Sequence, residues 1–307
     1  MSTTRPAWCG MAAVALALFM ACVPVRSSKA DVPTATALDE AIRTAPFSEP
    51  LIKTGPTSSV EDQELLQALA SRKERMAPDD VSKITGFLSR YPHSPWAPAL
   101  WTNLGLSYLH NGYFSLALGA FQNAWSEGKN ATDPLAKALV DRALGELARL
   151  YASFGRNEEL AALFDAVGKR PITGSATEAM QVAREELLQS RKDPGHLFLC
   201  GPLALRSLMM REGAKLEQVN FLQWYRAGPN GTNLAEVGEL ADRAKFGYRV
   251  LFRKPEQPVP VPAVVHWKVG HFATILDEAD GRFHIHDPVF AHQDFWITRA
   301  ALDTEAS

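Results

Sequence analysis

Residues 263–288 read AVVHWKVGHFATILDEADGRFHIHDP, and this stretch decides the fold of the C-terminal part of the chain. Apolar runs bounded by Pro, Gly and Asp predict strands at Ala263–Trp267, His271–Leu276 and Arg282–Asp287. The same criteria predict an earlier strand at Gly247–Phe252. Because the connections are short, consecutive strands are expected to pair in opposite directions and form an antiparallel sheet.

Two helices are predicted ahead of these strands. The first covers Cys200–Arg211, and the second covers Asn233–Lys245 with Thr232 as its N-cap. Helices that are followed by an antiparallel meander make an α+β domain, which we place at 191–307.

A different pattern precedes this domain. Residues 31–60 are rich in Pro, Thr, Ser and Ala and lack periodicity, so they are predicted to be a flexible linker. From 61 to 190, apolar residues recur at three- and four-residue spacing, which predicts an all-α region. The chain is therefore expected to be multidomain, with a helical region followed by an α+β domain.

One part of the helical region has a recognisable spacing. The pattern W-x2-L-G-x2-Y, then A-x3-F-x2-A, is met by Trp101, Leu104, Gly105, Tyr108, Ala117, Phe121 and Ala124. This pattern resembles a tetratricopeptide repeat, in which small residues such as Gly105 and Ala117 permit close helix approach. A degenerate copy, after an insertion at 128–136, consists of Leu144, Leu147, Ala148, Tyr151, Leu160 and Phe164. A generic helical bundle is the alternative interpretation.

The first 30 residues have the composition of an export signal. The apolar run Met11–Val25 follows a basic residue and is shorter than the roughly 20 residues that span a bilayer. Small residues follow this run, and we predict cleavage of a signal peptide, 1–30, after Ala30. The protein is then exported to the periplasm or the extracellular space. A lipid at Cys22 or an uncleaved signal anchor is the alternative, and we expect membrane attachment only through one of these.

The overall composition excludes several classes of protein. The chain has 307 residues and a net charge of −2, so no excess of positive charge indicates nucleic-acid binding. Its three cysteines, Cys9, Cys22 and Cys200, are too few for a disulfide-built fold. Signal cleavage would leave Cys200 as the single thiol, which is then either an inert core residue or a reactive one.

Cys200 lies where a nucleophile would be activated. It is followed by Gly201-Pro202, and proline is favoured in the first turn of a helix. The positive end of the helix dipole stabilises a thiolate at this position. An adjacent imidazole and a group that orients it would complete a nucleophilic site.

His271 and Asp287 can supply these two groups from one hairpin. Turns of two to five residues that end at Gly281 bring Asp287 within about three positions of the residue opposite His271. In an antiparallel pair, the numbers of two directly opposed residues add up to a constant, which we call the pairing sum. The side chains of His271 and Asp287 share a face only if this sum is even. The hairpin therefore needs a loop of three or five residues, or a β-bulge.

Four motifs, taken in order, resemble the papain-like bacteriocin-processing peptidases that cut after a double-glycine leader. They are Cys200-Gly201-Pro202, the run 262–267, Gly270-His271-Phe272, and His286-Asp287-Pro288. The resemblance covers about residues 190–300 and implies a papain-like cysteine peptidase domain without a cofactor. It implies that Cys200 is the nucleophile, His271 the general base and acid, and Asp287 the residue that orients His271. The implied substrate is a peptide or protein, and a further protein partner is expected on the helical repeats.

One position departs from this family. A glutamine six residues before the cysteine donates to the oxyanion in those enzymes, and Pro194 occupies that position here. Loss of one such donor costs on the order of 10²–10³ in rate. Backbone N–H groups of Cys200 or Gly201, or the side chain of His196, are the candidate replacements. We take His196, Gly201 and Trp267 as the substrate-binding residues.

Three alternative functions remain open at this point. The first is a zinc hydrolase, because His284 and His286 would face the same side of a strand. No paired cysteines or His-Glu-x-x-His motif accompany them, so no metal is predicted. An inactive papain-like binding module on a repeat scaffold is the second. Acyl transfer to an amine through the same three residues is the third.

Overall fold

The structure is a computed structural model that describes residues 35–70, 79–193, 195, 198–228, 231–288 and 294–307. The predicted signal peptide, with Cys9 and Cys22, lies outside these residues. Ala35–Ser307 form one compact unit. No helix within the described ranges is both long enough and apolar enough to cross a membrane.

The first part of this unit is helical. Its helices are α1 Ala35–Arg43, α2 Ser59–Ala70, α3 Ser82–Arg90, α4 Ala97–His110, α5 Phe114–Gly128, α6 Pro134–Ser153, α7 Asn157–Val167 and α8 Ala176–Lys192. Local sequence accounts for several of their ends. For example, the Asp133 carboxylate accepts the backbone N–H groups of Leu135 and Ala136 at the start of α6, and Pro134 fills the first helical position.

The predicted linker over 31–60 is wrong for residues 35–60. Helix α1 forms there, and Leu38, Ile42 and Leu51 are buried, the last two in one core cluster with Trp96. The prediction of a linker rested on the overall polar composition of 31–60 and did not take account of these three apolar residues. Leu38 and Ile42 lie on one side of a helix because they are four positions apart.

Helices α4 and α5 pack closely, as the small residues predicted. A β-carbon at Gly105 would lie 2.4 Å from the ring of Phe121, so only glycine fits at this crossing. Ala117 is also fully buried. The pairs α4–α5 and α6–α7 fall on the two copies of the repeat spacing, and the assignment to the tetratricopeptide family stays a prediction.

The second part of the unit contains a sheet and further helices. The helices are α9 Cys200–Arg211, α10 Leu216–Val219, α11 Leu234–Arg243 and α12 Arg299–Glu305, with a 3₁₀ turn at Asn220–Trp224. The strands are β1 Ala263–Trp267, β2 His271–Ala279, β3 Arg282–His286 and β4 Asp294–Thr298. They are antiparallel in the order β1-β2-β3-β4. The predicted antiparallel sheet is therefore confirmed.

The predicted strand at Gly247–Phe252 is wrong. These residues form no strand, and the Phe252 side chain is 89% exposed. Tyr, Val and Phe in this run are residue types that favour a strand, but a strand also needs a neighbour with which to pair. Strand β4 and helix α12 were not predicted.

The N-cap of α11 also differs from the prediction. The Asn233 side chain accepts the backbone N–H of Glu236, and the Glu236 carboxylate accepts the backbone N–H of Asn233. Asn233 is therefore the cap, in a reciprocal capping box. The hydroxyl of Thr232 is buried without a hydrogen-bond partner in the described structure.

The sheet has a different neighbour on each face. Val265, Ala273 and Phe283 belong to a core cluster that also contains residues of α5 and α6. Phe272, on the opposite face of β2, belongs to a cluster with residues of α9 and α11. The helical region and the sheet therefore share one hydrophobic core.

Trp267 is part of this shared core, so its predicted contact with substrate is wrong. The side chain is 0% exposed, and its ring centre lies 5.6 Å from that of Phe114. Strand alternation explains the difference, because Trp267 points to the same face as Val265, towards the helices.

Candidate active site

Cys200 is the first residue of α9, at the end of the helix where backbone N–H groups are free to bind a negative charge. The preceding residue, Leu199, has no side chain that caps the helix. Gly201 is required by close packing, because a β-carbon there would lie 2.3 Å from Thr232 Oγ1 and 2.8 Å from Val237 Cγ2. The helix therefore presents the thiol beside the backbone N–H groups of its first turn.

His271 and Asp287 are joined by a short hydrogen bond. The imidazole Nε2–H donates to Asp287 Oδ2 over 2.7 Å. His271 is 1% exposed and Asp287 is 0% exposed. Little water reaches either group, so this hydrogen bond is stronger than it would be at the surface.

The hairpin achieves this contact with a β-bulge. The turn has only two residues, Asp280 and Gly281, both with positive φ, so β2 and β3 begin with an odd pairing sum. A bulge between Ile275 and Asp277 then shifts the register by one. A bulge was one of the three predicted ways to meet this condition, and with a two-residue turn it is the one that places the two side chains on one face.

The imidazole also reaches the thiol of Cys200. His271 hydrogen bonds to the Cys200 side chain. Since Nε2 is engaged by Asp287, the ring nitrogen that faces the sulfur is Nδ1. One imidazole therefore connects the thiol at the start of α9 with the carboxylate that follows β3.

The thiol is more acidic than usual in this environment. Burial raises the pKa of Cys200, but the hydrogen bond and the charge of His271 lower it. Backbone N–H groups of Phe272 and Gly201 donate to the sulfur and lower the pKa further. The net pKa is lowered, which favours the nucleophilic thiolate.

The imidazole is correspondingly more basic. Burial lowers the pKa of His271, but hydrogen bonds to Asp287 and Cys200 and their negative charges raise it to about 9. A lowered thiol pKa and a raised imidazole pKa both shift the equilibrium from the neutral pair towards a thiolate–imidazolium pair.

The neighbouring His266 is not part of this chain of hydrogen bonds. Its Nδ1 lies 2.7 Å from Ser307 Oγ, and its ring packs 4.4 Å from Phe272. Burial and the charge of His271 lower the pKa of His266. It is a half-buried neighbour of the site.

The histidines of β3 lie on the sheet surface away from the helical region. His286 Nδ1 is 2.5 Å from Asp294 Oδ1, and His284 stacks on Trp296 at 4.8 Å. Among the residues that the structure describes, no group of three or more His, Cys, Asp or Glu side chains could hold a metal ion.

Two predicted positions lie outside the described residues, and two contacts of the site were not predicted. Pro194 and His196 lie outside the described residues, so the departure from the glutamine position has no structural account. The N–H of Phe272 was not predicted to contact the thiol, although its neighbour His271 was singled out. The ring of Phe154 in the helical region, 5.5 Å from that of His271, had no sequence signal because 117 positions separate the two residues.

A thiol at a helix start, facing a sheet that carries an imidazole, places this domain in the class of cysteine peptidase-like α+β domains. Residues 199–305 match the model of the Peptidase C39 family. The match contains Cys200, His271 and Asp287. Searches of the curated proteins and of the solved structures gave no match.

Proposed function

We propose that this protein is a cysteine peptidase that hydrolyses peptide bonds through Cys200, His271 and Asp287. The observation that carries the proposal is a single buried imidazole, hydrogen bonded to a thiol on one side and a carboxylate on the other. The family match over 199–305 supports the same class of reaction.

The reaction begins when the Cys200 thiolate attacks the carbonyl carbon of the substrate. The resulting oxyanion accepts backbone N–H groups at the start of α9, for which Cys200 and Gly201 are the candidates. Collapse of the tetrahedral intermediate breaks the C–N bond, and the His271 imidazolium gives its proton to the leaving amine. The products of this half-reaction are a free amine and a thioester on Cys200.

Water completes the cycle. His271, now neutral, takes a proton from a water molecule, whose oxygen attacks the thioester carbonyl. The second intermediate releases a carboxylic acid, and the thiolate–imidazolium pair is restored. Asp287 keeps the imidazole in one orientation and one tautomer throughout, because its carboxylate accepts the Nε2–H.

The substrate in this proposal is a peptide or protein, with processing after a double-glycine leader as the proposed subtype. The ordered set of four motifs supports the subtype. The helical region is proposed to be a tetratricopeptide-like scaffold that holds the substrate or a protein partner.

We further propose that the protein acts outside the cytoplasm. The basic start, the short apolar run and the small residues of 1–30 support export. Lipid attachment at Cys22 is the proposed variant of this processing. Mass spectrometry of the mature N-terminus would separate the two, since cleavage near Ala30 removes Cys22.

Labelling of Cys200 with iodoacetamide tests the catalytic proposal. At pH 7 the wild-type thiol is expected to react faster than free cysteine, because its pKa is lowered. His271→Ala is expected to slow the labelling. Peptide mapping follows Cys200 alone, and Cys200→Ala gives the background. Equal labelling rates for wild-type protein and His271→Ala would show that His271 does not activate the thiol, and this result would contradict the proposed mechanism.

A further inference from the structure

The sheet face that carries His271 is covered by the helical region, which lies outside the matched residues 199–305. Alternate side chains of a strand point to the same face, so His271 shares a face with Ala273 and Ile275. Both of these residues are buried in the core cluster that contains helical residues of α5 and α6. The imidazole therefore lies at the junction between the sheet and the helical region.

The turn between α6 and α7 contacts both sides of the candidate active site. Phe154 follows the last residue of α6, and its ring centre lies 5.5 Å from that of His271, with the planes tilted by 51°. A β-carbon at the next residue, Gly155, would lie 2.7 Å from the ring of Phe198. Phe198 precedes Cys200 by two positions. One turn thus touches the imidazole and the segment that leads to the thiol.

Phe154 is held firmly in this position. Its ring makes an edge contact with Phe114, with 6.0 Å between ring centres, and Phe114 makes a similar contact with Trp267. The backbone N–H of Phe154 donates to the carbonyl of Leu150 over 3.0 Å. Only 8% of the Phe154 surface is exposed.

We propose that Phe154 is a positioning residue of the active site, whose ring keeps water away from the His271 imidazole and holds it between Cys200 and Asp287. This inference rests on the proposed function. Water that reached the imidazole would compete for its two hydrogen bonds and weaken the ion pair, because exposed ionic hydrogen bonds are weaker than buried ones. The helical region would then complete the active site as well as carry a substrate or partner.

The pH dependence of thiol labelling reports this role directly. The titratable groups coupled to the imidazole are Asp287, Cys200 and the neighbouring His266. Phe154 adds no charge, so its removal acts through water access and imidazole orientation. A weaker ion pair raises the pH at which the Cys200 thiolate forms, whereas a loss of general stability leaves that pH unchanged.

The experiment compares iodoacetamide labelling of Cys200 from pH 5 to 10 in four full-length proteins. They are the wild type, Phe154→Ala, Phe154→Leu and Phe87→Ala. Phe87 is a buried aromatic of the other helical core cluster, so its truncation controls for lost packing away from the site. Phe154→Leu keeps an apolar cover. Circular dichroism establishes that each protein is folded.

The labelling midpoint is the pH at which the labelling rate reaches half of its maximum. We expect Phe154→Ala to raise this midpoint by about one pH unit, which makes labelling at low pH about ten-fold slower. Phe154→Leu is expected to stay within about three-fold of the wild type, and Phe87→Ala to keep the wild-type midpoint. If Phe154→Ala does not fold, Phe154→Gln replaces it, because glutamine matches leucine in size but admits polar contacts.

The inference would be overturned if wild-type protein and Phe154→Ala had the same labelling midpoint. Where Phe154→Gln replaces Phe154→Ala, the same midpoint for Phe154→Leu and Phe154→Gln would overturn it. An equal shift in Phe87→Ala would overturn it as well. Failure of the proposed function looks different, because the wild-type midpoint would then equal that of free cysteine. The two failures are therefore distinguishable in one data set.

Discussion

At the scale of single residues, the chemistry depends on one imidazole whose two ring nitrogens have different partners. Asp287 accepts the proton of Nε2, which leaves Nδ1 for the sulfur of Cys200. An ion pair of this kind needs both contacts, because either one alone leaves the ring free to rotate or to change tautomer. Two residue-scale predictions follow from this arrangement.

The first concerns the carboxylate that orients the imidazole. Asp287→Asn keeps the side-chain shape but can present an N–H to the ring, and the same change in a Ser-His-Asp triad costs about 10⁴ in kcat. We expect Asp287→Asn to slow Cys200 labelling at pH 7 to the rate of His271→Ala. Asp294→Asn is the matched control, because that exposed carboxylate contacts His286 instead. Unchanged labelling in Asp287→Asn would show that the carboxylate does not orient His271.

The second prediction concerns stability as a function of pH. Burial lowers the pKa of His271, but its hydrogen bonds and the charges beside it raise the pKa from 6.5 to about 9. The folded state therefore binds this proton more tightly than the unfolded state. The stability that His271 contributes is complete below pH 6.5 and is lost as the pH rises through about 9.

Urea unfolding of wild-type protein and His271→Gln measures this contribution. The difference in their free energies of unfolding is expected to shrink as the pH rises from 7 to 10. A difference that stays constant over that range would contradict the raised pKa.

At the scale of elements, the helix-packing glycine gives a matched pair of substitutions. Gly105→Ala places a methyl group within 2.4 Å of the buried Phe121 ring, and overpacking of this kind costs about 1–3 kcal/mol. Gly119→Ala in α5 meets nothing within 4 Å and gains helix propensity of up to about 1 kcal/mol. The midpoint temperature of thermal unfolding should therefore fall for Gly105→Ala and should not fall for Gly119→Ala. The same downward shift in both would mean that the α4–α5 crossing is not tight.

The elements also show what the sequence could predict. Strand β1 and helix α9 have the predicted bounds, since each is a compact apolar run with clear Gly or Pro boundaries. The bulge in β2 was foreseen as one of the ways to bring His271 and Asp287 together. These features were accessible because they depend on residues close together in the chain.

Other elements depend on distant residues and were missed. Helix α1 is stabilised by burial against Trp96 and its neighbours, which no local pattern in 31–60 reveals. Gly247–Phe252 has the residue types of a strand but no strand to pair with. Trp267 was assigned to substrate contact because the sequence does not show that the predicted helices pack against this face of the sheet. In each case the outcome depends on tertiary contacts, present or absent, that the local sequence does not show.

At the scale of the whole molecule, a buried carboxylate connects the helical region to the α+β part. Glu305 in α12 accepts the backbone N–H of Ser115 over 2.9 Å and the Ser115 hydroxyl over 2.8 Å. Ser115 lies in the first turn of α5, where a negative charge also interacts favourably with the helix dipole. Glu305 thus does for α5 what an N-cap side chain usually does from the helix itself.

Removal of one of these donors tests the connection. Ser115→Ala leaves a buried carboxylate with one donor fewer, and a hydrogen bond to a charged group contributes about 1.5–3 kcal/mol. We expect urea unfolding to remain a single transition and to shift to lower urea in Ser115→Ala. Ser89→Ala, an exposed hydroxyl in α3, is the control and should not shift. A Ser115→Ala curve that coincides with the wild type would mean that the carboxylate gains nothing from the hydroxyl.

The contact between Ser115 and Glu305 has a consequence for the order in which parts of the protein fold during synthesis. The two residues are 190 positions apart, so α5 leaves the ribosome long before the carboxylate that completes its first turn. The helices begin to collapse during synthesis, but this turn and the sheet-facing core stay unfinished until residue 305 has emerged. A nascent chain held one helix short of that point should expose the apolar surface around Phe114, and chaperones that recognise such surface would bind there.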